Sequence, residues 1–493
     1  MSPSKGCYTP AELSAPVLPR WARAADYLTL LLVILALFVA AYGGIKMRYW
    51  RFTMTSPTRL AAWAIAVALV RHVFVRQAPI YRGLPGDFVR WSRSTPFRAA
   101  AAAFVGTRPA IFFVGYLAIF VIGYAPGAPP SEYSHFPNEV YSLPLRWDAG
   151  WYLQIAERGY TYKASEGAEG QQNIVFFPAL PLTVRVVALL LSGGVGAFHL
   201  AGTLVSLAAF LGALVYLFLL AREHLDDERA RATLWLLAAY PFALFFGAVY
   251  TESLFLLGAA GAFYHVRQRE ILRAGAWALI VGLTRPNGFL LSVPLALMAI
   301  SPWLPPSLVR RGAPDAAPRD RPASAWTSAI PALGVAAMPV VGVLMFSAFI
   351  WWLTGHPLAW MAGHGAWGRH YTGLTRIVTD RYNWLAYAGL YAYVSELPLD
   401  ALNAIGVVFV LAAAWPTARR LGLAYGVFIL INILPPLAQG GMLSAGRFSS
   451  VLFPAFIWLA GAVPARHRQG WVASFAAIQA LNAALFYTWR SLY

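Results

Sequence analysis

LPLRWDAGWYLQIAERGY, residues 143–160, is a charged and aromatic segment inside an otherwise apolar chain. It lies in a long polar connection between hydrophobic segments. On a helix, Trp147, Trp151 and Ile155 recur every four residues and share one face, whereas Asp148 lies off that stripe. The pattern predicts a short amphipathic helix at a membrane surface, with tryptophans at headgroup level and Asp148 in its first turn at the water boundary.

The composition is that of a membrane protein. Of 493 residues, 59% are hydrophobic and only 12% are charged, and the mean hydropathy is +0.58. Soluble domains carry roughly 25% charged residues, so we expect a polytopic membrane protein. The formal charge of +18 does not indicate nucleic-acid binding, because the arginines cluster in short connections between apolar runs. Since Cys7 is the one cysteine, an intrachain disulfide and a cysteine metal site are excluded.

Apolar runs near the ~20 residues that cross a bilayer predict an all-α bundle of about 11–13 spans. The connections 125–177 and 355–399 are long and polar, and 304–326, rich in proline and arginine, is predicted to be a disordered loop. Proline and glycine in Thr284-Arg285-Pro286-Asn287-Gly288 predict that one run breaks into two half-helices. The candidate spans are 26–45, 60–76, 107–124, 178–193, 197–220, 231–249, 252–266, 274–303, 328–353, 401–415, 422–436, 448–463 and 470–488.

Orientation follows from the distribution of positive charge, which favours the cytoplasmic side. Arginine-rich loops at 266–273, 304–321, 417–420 and 464–468 are therefore expected inside the cell. Their alternation with the spans puts 248–253, 284–288, 355–399, 437–447 and the loop with Asp148 on the far, extracytoplasmic side. Two features conflict with this topology: the pair 178–193 and 197–220 breaks the parity, and the far-side connection 46–59 is basic.

Three ionisable residues stand out before the second long loop. Asp148 precedes a helical segment, where a helix cap worth ~1 kcal/mol is the alternative to a catalytic role. Glu252 lies at the junction of two apolar helices, and it is either a functional carboxylate or part of a solvated turn. Arg285, with Asn287 beside it, occupies the broken run, and broken helices often mark binding sites. A snorkelling arginine is the other interpretation.

Two further clusters lie later in the chain. Arg447 begins a span on the far side, where a guanidinium suits bidentate binding of phosphate. Trp367 and Arg369 belong to an aromatic and basic cluster in the second far-side loop, which an interfacial aromatic belt explains equally well. The nearby histidines His356, His364 and His370 lack metal-ligand spacing with a carboxylate, so no metal is predicted.

Together these motifs resemble the PIG-V family, which includes the GPI-anchor mannosyltransferase and its bacterial relatives, within the GT-C class of membrane glycosyltransferases. The likeness spans roughly residues 140–465, whereas residues 1 to about 100 have no counterpart, and Ala149 stands where many members carry serine. The motifs are RWDAGWY at 146–152, GY at 159–160, FFP at 176–178, YTES at 250–253, TRPNG at 284–288, WGR at 367–369 and GRF at 446–448.

The resemblance implies an inverting mannosyltransferase that uses a polyprenyl-phosphate mannose donor on the extracytoplasmic face of the plasma membrane, without a cofactor. Asp148 matches the catalytic carboxylate, and a general base is what an attacking hydroxyl needs. Arg447 and then Arg285 are the candidates for the donor phosphate. The candidate substrate-binding residues are Trp147, Trp151, Tyr152, Glu252, Asn287, Trp367 and Arg369. The expected domains are an N-terminal region 1–106, a catalytic core 107–465 and a C-terminal helix 466–493.

A transporter or lipid flippase is the alternative from another class, because broken helices and intramembrane charge suit it equally. Against it, the sequence contains no internal repeat and its polar clusters gather on one side of the membrane. A purely structural scaffold is the third interpretation. The sugar, the acceptor (a lipid, a glycan or a protein) and any partner subunit stay open.

Overall fold

The computed structural model describes residues 18–42, 45–47, 52–54, 56–77, 79, 81, 89–127, 142–164, 170–191, 193–301 and 324–492. The chain divides into two compact units, Met1–Arg93 and Ser94–Tyr493. The loop predicted at 304–326 lies outside the described residues up to 323. The predicted domain limits at 106 and 465 stay a prediction, and the C-terminal helix lies within the larger unit.

In the smaller unit, two helices pack against each other: α1 (Arg20–Tyr42) and α2 (Pro57–Phe74). Between them lies a short antiparallel pair of strands, β1 (Ile45–Met47) and β2 (Phe52–Met54). Arg71 interrupts the apolar sequence of α2 but does not end the helix. Its Nε lies 2.7 Å from Asp26 Oδ1, and both side chains are only 1% exposed. Pairing of the two opposite charges lets the helix continue in an apolar setting.

All regular secondary structure among the described residues of the larger unit is helical, and short 3-10 turns join several of its helices. Its helices are α3 (Thr95–Val121), α4 (Ala149–Arg158), α5 (Ala179–Leu191), α6 (Val195–Arg222), α7 (Asp227–Ala238), α8 (Glu252–Arg267), α9 (Ile271–Gly282), α10 (Ser292–Ala299), α11 (Ser324–Thr354), α12 (Ala359–Ala362), α13 (Leu374–Glu396), α14 (Pro398–Leu421), α15 (Leu423–Gly440), α16 (Ala445–Ser450), α17 (Phe453–Ala462) and α18 (Ala465–Tyr487).

Six helices in the described ranges are long and apolar enough to cross a membrane. They are α3, α6, residues 330–354 of α11, α14, α15 and α18. Shorter apolar segments lie between them, including α5, α9 and α17. The prediction of an all-α, multi-pass membrane protein is therefore confirmed.

The break predicted inside 274–303 is present. Helix α9 ends at Gly282, a 3-10 turn covers Pro286–Leu291, and α10 follows. Gly288 is required at this turn, because a Cβ there would lie 2.2 Å from the carbonyl oxygen of Val281. The break brings Arg285 out of a helix and frees its side chain to point toward neighbouring helices.

The continuous span predicted at 231–249 is wrong. Helix α7 ends at Ala238, and a 3-10 turn follows at Ala243–Gly247. Pro241 cannot continue the helix, since it lacks an N–H. Arg108 of α3 caps this break: its Nη2 donates to the Ala238 carbonyl at 2.7 Å and its Nη1 to the Ala243 carbonyl at 2.6 Å.

The polar connection 355–399 is largely helical, since α13 occupies Leu374–Glu396, with a kink at Gly389 where φ is 81°. One other expectation needs correction. The span predicted at 448–463 is two helices, α16 and α17, separated at Val451 and Leu452. Helix α16 is short, and it carries Arg447 at the edge of the bundle core rather than at the start of a long span.

Candidate active site

A cavity of about 240 Å³ lies where several helix ends meet. Its walls come from the start of α4, the start of α8, the break after α9, the 3-10 turn Gly363–Trp367 and the segment from α15 to α16. It is lined by Asp148, Tyr152, Val175, Phe176, Phe177, Tyr250, Thr251, Glu252, Thr284, Arg285, Pro286, Asn287, His364, Trp367, Arg369, Pro436, Gln439, Leu443, Ser444, Arg447 and Phe448.

Asp148 occupies the N-cap position of α4, yet its side chain makes no capping hydrogen bond. Its Oδ2 instead accepts a hydrogen bond from Arg447 Nη1 at 3.3 Å. The Asp148 backbone N–H donates to the hydroxyl of Tyr250 at 3.1 Å, and that hydroxyl donates to the Arg146 carbonyl at 3.4 Å. The backbone of Asp148 is therefore held by the protein while its carboxylate faces the cavity.

Trp147 is not part of the helix. It adopts a left-handed backbone with φ of 57°, and α4 begins two residues later. Its indole N–H donates to the Phe486 carbonyl at 3.3 Å, and its ring lies 5.3 Å from that of Trp489. Trp147 thus anchors the turn before Asp148 to the end of α18, and the predicted four-residue stripe of Trp147, Trp151 and Ile155 is wrong at its first member.

Glu252, Arg285 and Arg447 form a buried ionic network beside Asp148. Glu252 Oε1 lies 3.1 Å from Arg285 Nη2 and 3.4 Å from Arg447 Nε. Arg285 Nη2 also donates to Thr251 Oγ1 at 3.1 Å. Arg447 therefore contacts both carboxylates of the cavity, and Glu252 separates the charges of two arginines that would otherwise repel each other.

The exposed fraction differs among these four side chains, and it decides which carboxylate a substrate can reach. Glu252 and Arg285 are 2% and 6% exposed, Arg447 is 12% exposed, and Asp148 is 26% exposed. Asp148 is therefore the carboxylate that an entering molecule can reach. Glu252 is buried behind the arginines, although its second oxygen, Oε2, has no hydrogen-bond partner within the part of the chain that is described.

The second predicted far-side loop supplies another wall, with His364, Trp367 and Arg369. Arg369 lies 5.2 Å from the ring of Phe448 and has no ion pair with any carboxylate among the described residues. Burial, and then repulsion by Arg447, lower the pKa of Arg369 to about 10, so the residue stays positively charged near neutral pH. Three arginines and two carboxylates give the cavity a formal charge of +1.

Aromatic side chains connect these walls. Trp151 stacks on Phe176 at 5.8 Å and meets Trp367 edge-on at 5.7 Å, and Tyr152 meets Phe176 edge-on at 5.0 Å. Burial raises the pKa of the Tyr152 hydroxyl, and the nearby carboxylates of Glu252 and Asp148 raise it further. Tyr152 is consequently neutral in the cavity and available as a hydrogen-bond donor.

The structure brings together eight of the ten residues proposed from the sequence. Trp147 and Trp151 do not line the cavity; both lie behind it. The other eight line it: Asp148, Tyr152, Glu252, Arg285, Asn287, Trp367, Arg369 and Arg447. Asn287 also donates to Asn432 Oδ1 at 3.3 Å, which joins the break to α15.

Sequence reasoning missed several lining residues. Tyr250 and Thr251 precede Glu252 within a motif that had been recognised, and His364 lies in the aromatic and basic cluster, so a signal existed for these three. Ser444 directly precedes α16 and the motif around Arg447, so a signal existed for it too, whereas Gln439 lies in the last turn of the apolar helix α15 and offered no comparable signal. Within the described ranges, no three His, Cys, Asp or Glu side chains come together as metal ligands.

Part of the chain matches a known protein family. No curated protein and no solved structure matches the chain. Residues 123–299 match the model of the family described as mannosyltransferase (PIG-V), and this segment carries Asp148, Glu252 and Arg285, whereas Arg369 and Arg447 lie beyond it. The resemblance of this sequence to the PIG-V mannosyltransferases is thereby confirmed over residues 123–299.

Proposed function

We propose that the protein transfers mannose from a polyprenyl-phosphate donor to an acceptor hydroxyl on the extracytoplasmic face of the plasma membrane. The family match supports a mannosyltransferase activity. The donor, the face of the membrane and the mechanism are our proposal. The observation that carries it is the position of Asp148: a reachable carboxylate, 3.3 Å from Arg447, in a cavity rich in arginine.

In the proposed reaction Asp148 acts as the general base. The acceptor hydroxyl attacks the anomeric carbon while its proton passes to the Asp148 carboxylate. The bond between the anomeric carbon and the phosphate oxygen breaks, and its electron pair leaves with the polyprenyl phosphate. Because attack and departure occur on opposite sides of the carbon, the anomeric configuration is inverted.

The leaving phosphate needs no acid if cations stabilise its charge. Arg447 and Arg285 are the proposed phosphate ligands, since both face the cavity and both offer several N–H donors. Without substrate they contact Asp148 and Glu252. A bound phosphate would share these guanidinium groups with the carboxylates, so donor binding would also loosen the contact of Arg447 with Asp148 and free the base.

The remaining walls suit the rest of the substrates. Glu252 and Arg369 are proposed to orient hydroxyls of the donor or acceptor, and Tyr152 and Asn287 can do the same. The apolar residues Phe177, Leu443 and Phe448 line the cavity too, and they support a polyprenyl chain that leaves it through a groove between helices into the bilayer. The acceptor is a lipid, a glycan or a protein.

Sugar transfer from radiolabelled polyprenyl-phosphate mannose tests the proposal. Wild type and Asp148→Asn are reconstituted in membranes with a crude lipid extract as acceptor. We expect a labelled product with wild type and a rate roughly 10²–10⁴-fold lower with the variant, the usual contribution of a general base. Donor binding and the unfolding midpoint should be retained, because the Asp148 side chain caps no helix.

Three outcomes contradict parts of the proposal. Near-normal transfer by Asp148→Asn would remove the base assignment. Donor binding without turnover by either protein would show that the sugar or the acceptor is wrong. Transport of the polyprenyl-phosphate mannose across the proteoliposome membrane without a covalent product would favour the alternative, a transporter or flippase.

A further inference from the structure

His364 is a polar side chain of the cavity that the proposed mechanism does not use. It lies in the 3-10 turn Gly363–Trp367 and lines the cavity together with Arg369. Its Nε2 atom is buried and has no hydrogen-bond partner among the described residues. Its ring meets Trp360 edge-on at 6.5 Å, and the indole N–H of Trp360 donates elsewhere, to Ser347 Oγ at 3.0 Å.

A buried ring nitrogen without a partner costs roughly 1–3 kcal/mol, so a native structure that keeps one at a cavity wall points to a ligand. The imidazole is uncharged near neutral pH, because burial and the positive charge of Arg369 lower the pKa of His364 to about 4. A neutral imidazole has one donor and one acceptor, and a hydroxyl group offers the same pair. A phosphate would bind the arginines of the cavity rather than His364, because their charged N–H groups form stronger hydrogen bonds with an anion.

The surroundings of His364 suit a sugar ring. Val175, Phe176, Phe177 and Trp367 line the same cavity and provide apolar and aromatic surface for the C–H groups of a pyranose. Gly363 lies against Val175, since a Cβ on this glycine would approach Val175 Cγ1 to 2.8 Å. Close contact between the 3-10 turn and the segment 173–177 therefore fixes the position of His364.

We propose that His364 binds one hydroxyl of a substrate sugar through Nε2 and thereby determines which sugar the cavity accepts. The inference deepens the proposed function and rests on it for the nature of the ligand, a sugar. His364 comes from outside the segment 123–299 that matches the mannosyltransferase family. The hydroxyl belongs either to the transferred mannose or to the acceptor, and binding experiments distinguish the two.

The test is equilibrium binding to the full-length protein in nanodiscs. The donor probe is a synthetic short-chain polyprenyl phosphate carrying mannose, with its set of monodeoxy analogues. The acceptor probe is octyl α-mannoside with its own monodeoxy set. The variants are His364→Ala and His364→Gln, which keeps an uncharged donor and acceptor, and the matched control is His370→Ala, an exposed histidine of the same loop that does not line the cavity.

We expect His364→Ala to weaken binding of one parent probe by about tenfold, the size of one hydrogen bond in a site that excludes water. One monodeoxy analogue of that probe should bind wild type and His364→Ala equally. His364→Gln should recover part of the loss, and His370→Ala should bind as wild type does. We say that an analogue couples to His364 when it binds wild type and His364→Ala equally. An analogue of the donor series that does so assigns the hydroxyl to the transferred sugar, and one of the acceptor series assigns it to the acceptor.

The inference is overturned if no deoxy analogue couples to His364 in either series, or if wild type binds neither probe. A fall in affinity that is equal for every analogue also overturns it, because that result reflects a structural role. Binding does not require turnover, so the two failures can be told apart. If only the proposed function fails, one analogue still couples to His364 in the binding assay, but wild type forms no labelled product in the transfer assay.

Discussion

A buried arginine lies at each of two helix breaks in the larger unit, and the two arginines have different partners. At the break after α7, Arg108 donates to the carbonyls of Ala238 and Ala243. Gln479 adds a bond to the same Ala238 carbonyl at 3.1 Å. At the break after α9, Arg285 faces a carboxylate and a hydroxyl, and its Nε has no hydrogen-bond partner among the described residues.

The difference separates a structural break from a binding site. Arg108 donates to backbone carbonyls on both sides of an interrupted helix, which completes the structure by itself. Arg285 lies on a cavity wall, where one buried N–H is left for a ligand to satisfy. A buried guanidinium that is bonded to backbone carbonyls is therefore structural, whereas one that is paired with a carboxylate at a cavity is a candidate for anion binding.

The largest effect is expected for Arg285→Lys. Lysine keeps the charge that pairs with Glu252 but loses the planar set of donors. We expect kcat/KM for mannose transfer to fall roughly 100-fold, because the leaving phosphate loses a stabilising donor. The unfolding midpoint should change little, since the buried charge of Glu252 keeps a partner in Arg447.

Transfer rates and thermal unfolding in the same reconstituted samples check this prediction. The same substitution at an exposed arginine, Arg273→Lys, is the control, because Arg273 pairs with Glu270 and does not line the cavity. If Arg285→Lys lowers the unfolding midpoint strongly while transfer by the folded protein is normal, the distinction between the two breaks fails.

The reverse is expected for Arg108→Lys. Lysine has one nitrogen in place of the two that donate to the Ala238 and Ala243 carbonyls, so we expect one of these buried hydrogen bonds to be lost. We expect a loss of about 2 kcal/mol in the free energy of unfolding. Transfer per folded molecule should stay near the wild-type value. Denaturant unfolding in detergent measures the first quantity, and a large loss of specific activity would contradict the prediction.

The sequence predicted one of these breaks and not the other, for a physical reason. Proline, asparagine and glycine follow Arg285 directly, so the break after α9 is encoded locally. At the other break Pro241 was a local signal, but the run 231–249 is otherwise apolar. Its capping residue, Arg108, lies 130 and 135 residues away from the carbonyls that it binds. Sequence patterns report short-range conformation and do not report such distant partners.

The same limit applies to the site. The motifs around Asp148, Glu252, Arg285 and Arg447 were recognisable one by one. The 3.3 Å contact of Asp148 with Arg447 joins residues that are 299 positions apart, and no local sequence pattern encodes such a contact. The spacing of Trp147 predicts a helical position, but its left-handed backbone goes with an indole hydrogen bond to Phe486 of α18, which is distant in sequence.

Two buried tyrosines also differ between the binding site and the structural break after α7. Tyr250 holds the backbone N–H of Asp148, and its ring lies 5.3 Å from the guanidinium of Arg447. Tyr240, next to the structural break, shares a 2.7 Å hydrogen bond with Ser449. We expect Tyr250→Phe to lower kcat by about tenfold with little change in KM, because Asp148 loses its position while the aromatic ring stays.

Tyr240→Phe is the matched control, since it removes a buried hydroxyl that does not line the cavity. It should cost about 1 kcal/mol in the free energy of unfolding and leave kcat unchanged. Equal effects of the two substitutions on kcat would mean that Tyr250 has no special part in positioning Asp148.

The smallest effect concerns His364 and pH. An unfolded histidine takes up a proton near pH 6.5, whereas burial and Arg369 lower the pKa of His364 in the folded protein to about 4. Between these values the unfolded chain binds the proton and the folded chain does not, so stability is lost as the pH falls. Going from pH 7 to pH 5.5 should cost wild type about 1 kcal/mol relative to His364→Gln, which cannot take up that proton. Unfolding of the two proteins, compared at both pH values, measures the difference, and the comparison at pH 7 is the reference because the ring is mainly neutral in both states there. A difference that does not change with pH would mean that His364 is protonated equally in the folded and unfolded chains. The Nε2 atom of His364 would then be solvated by water and would not be left for a substrate hydroxyl to bind.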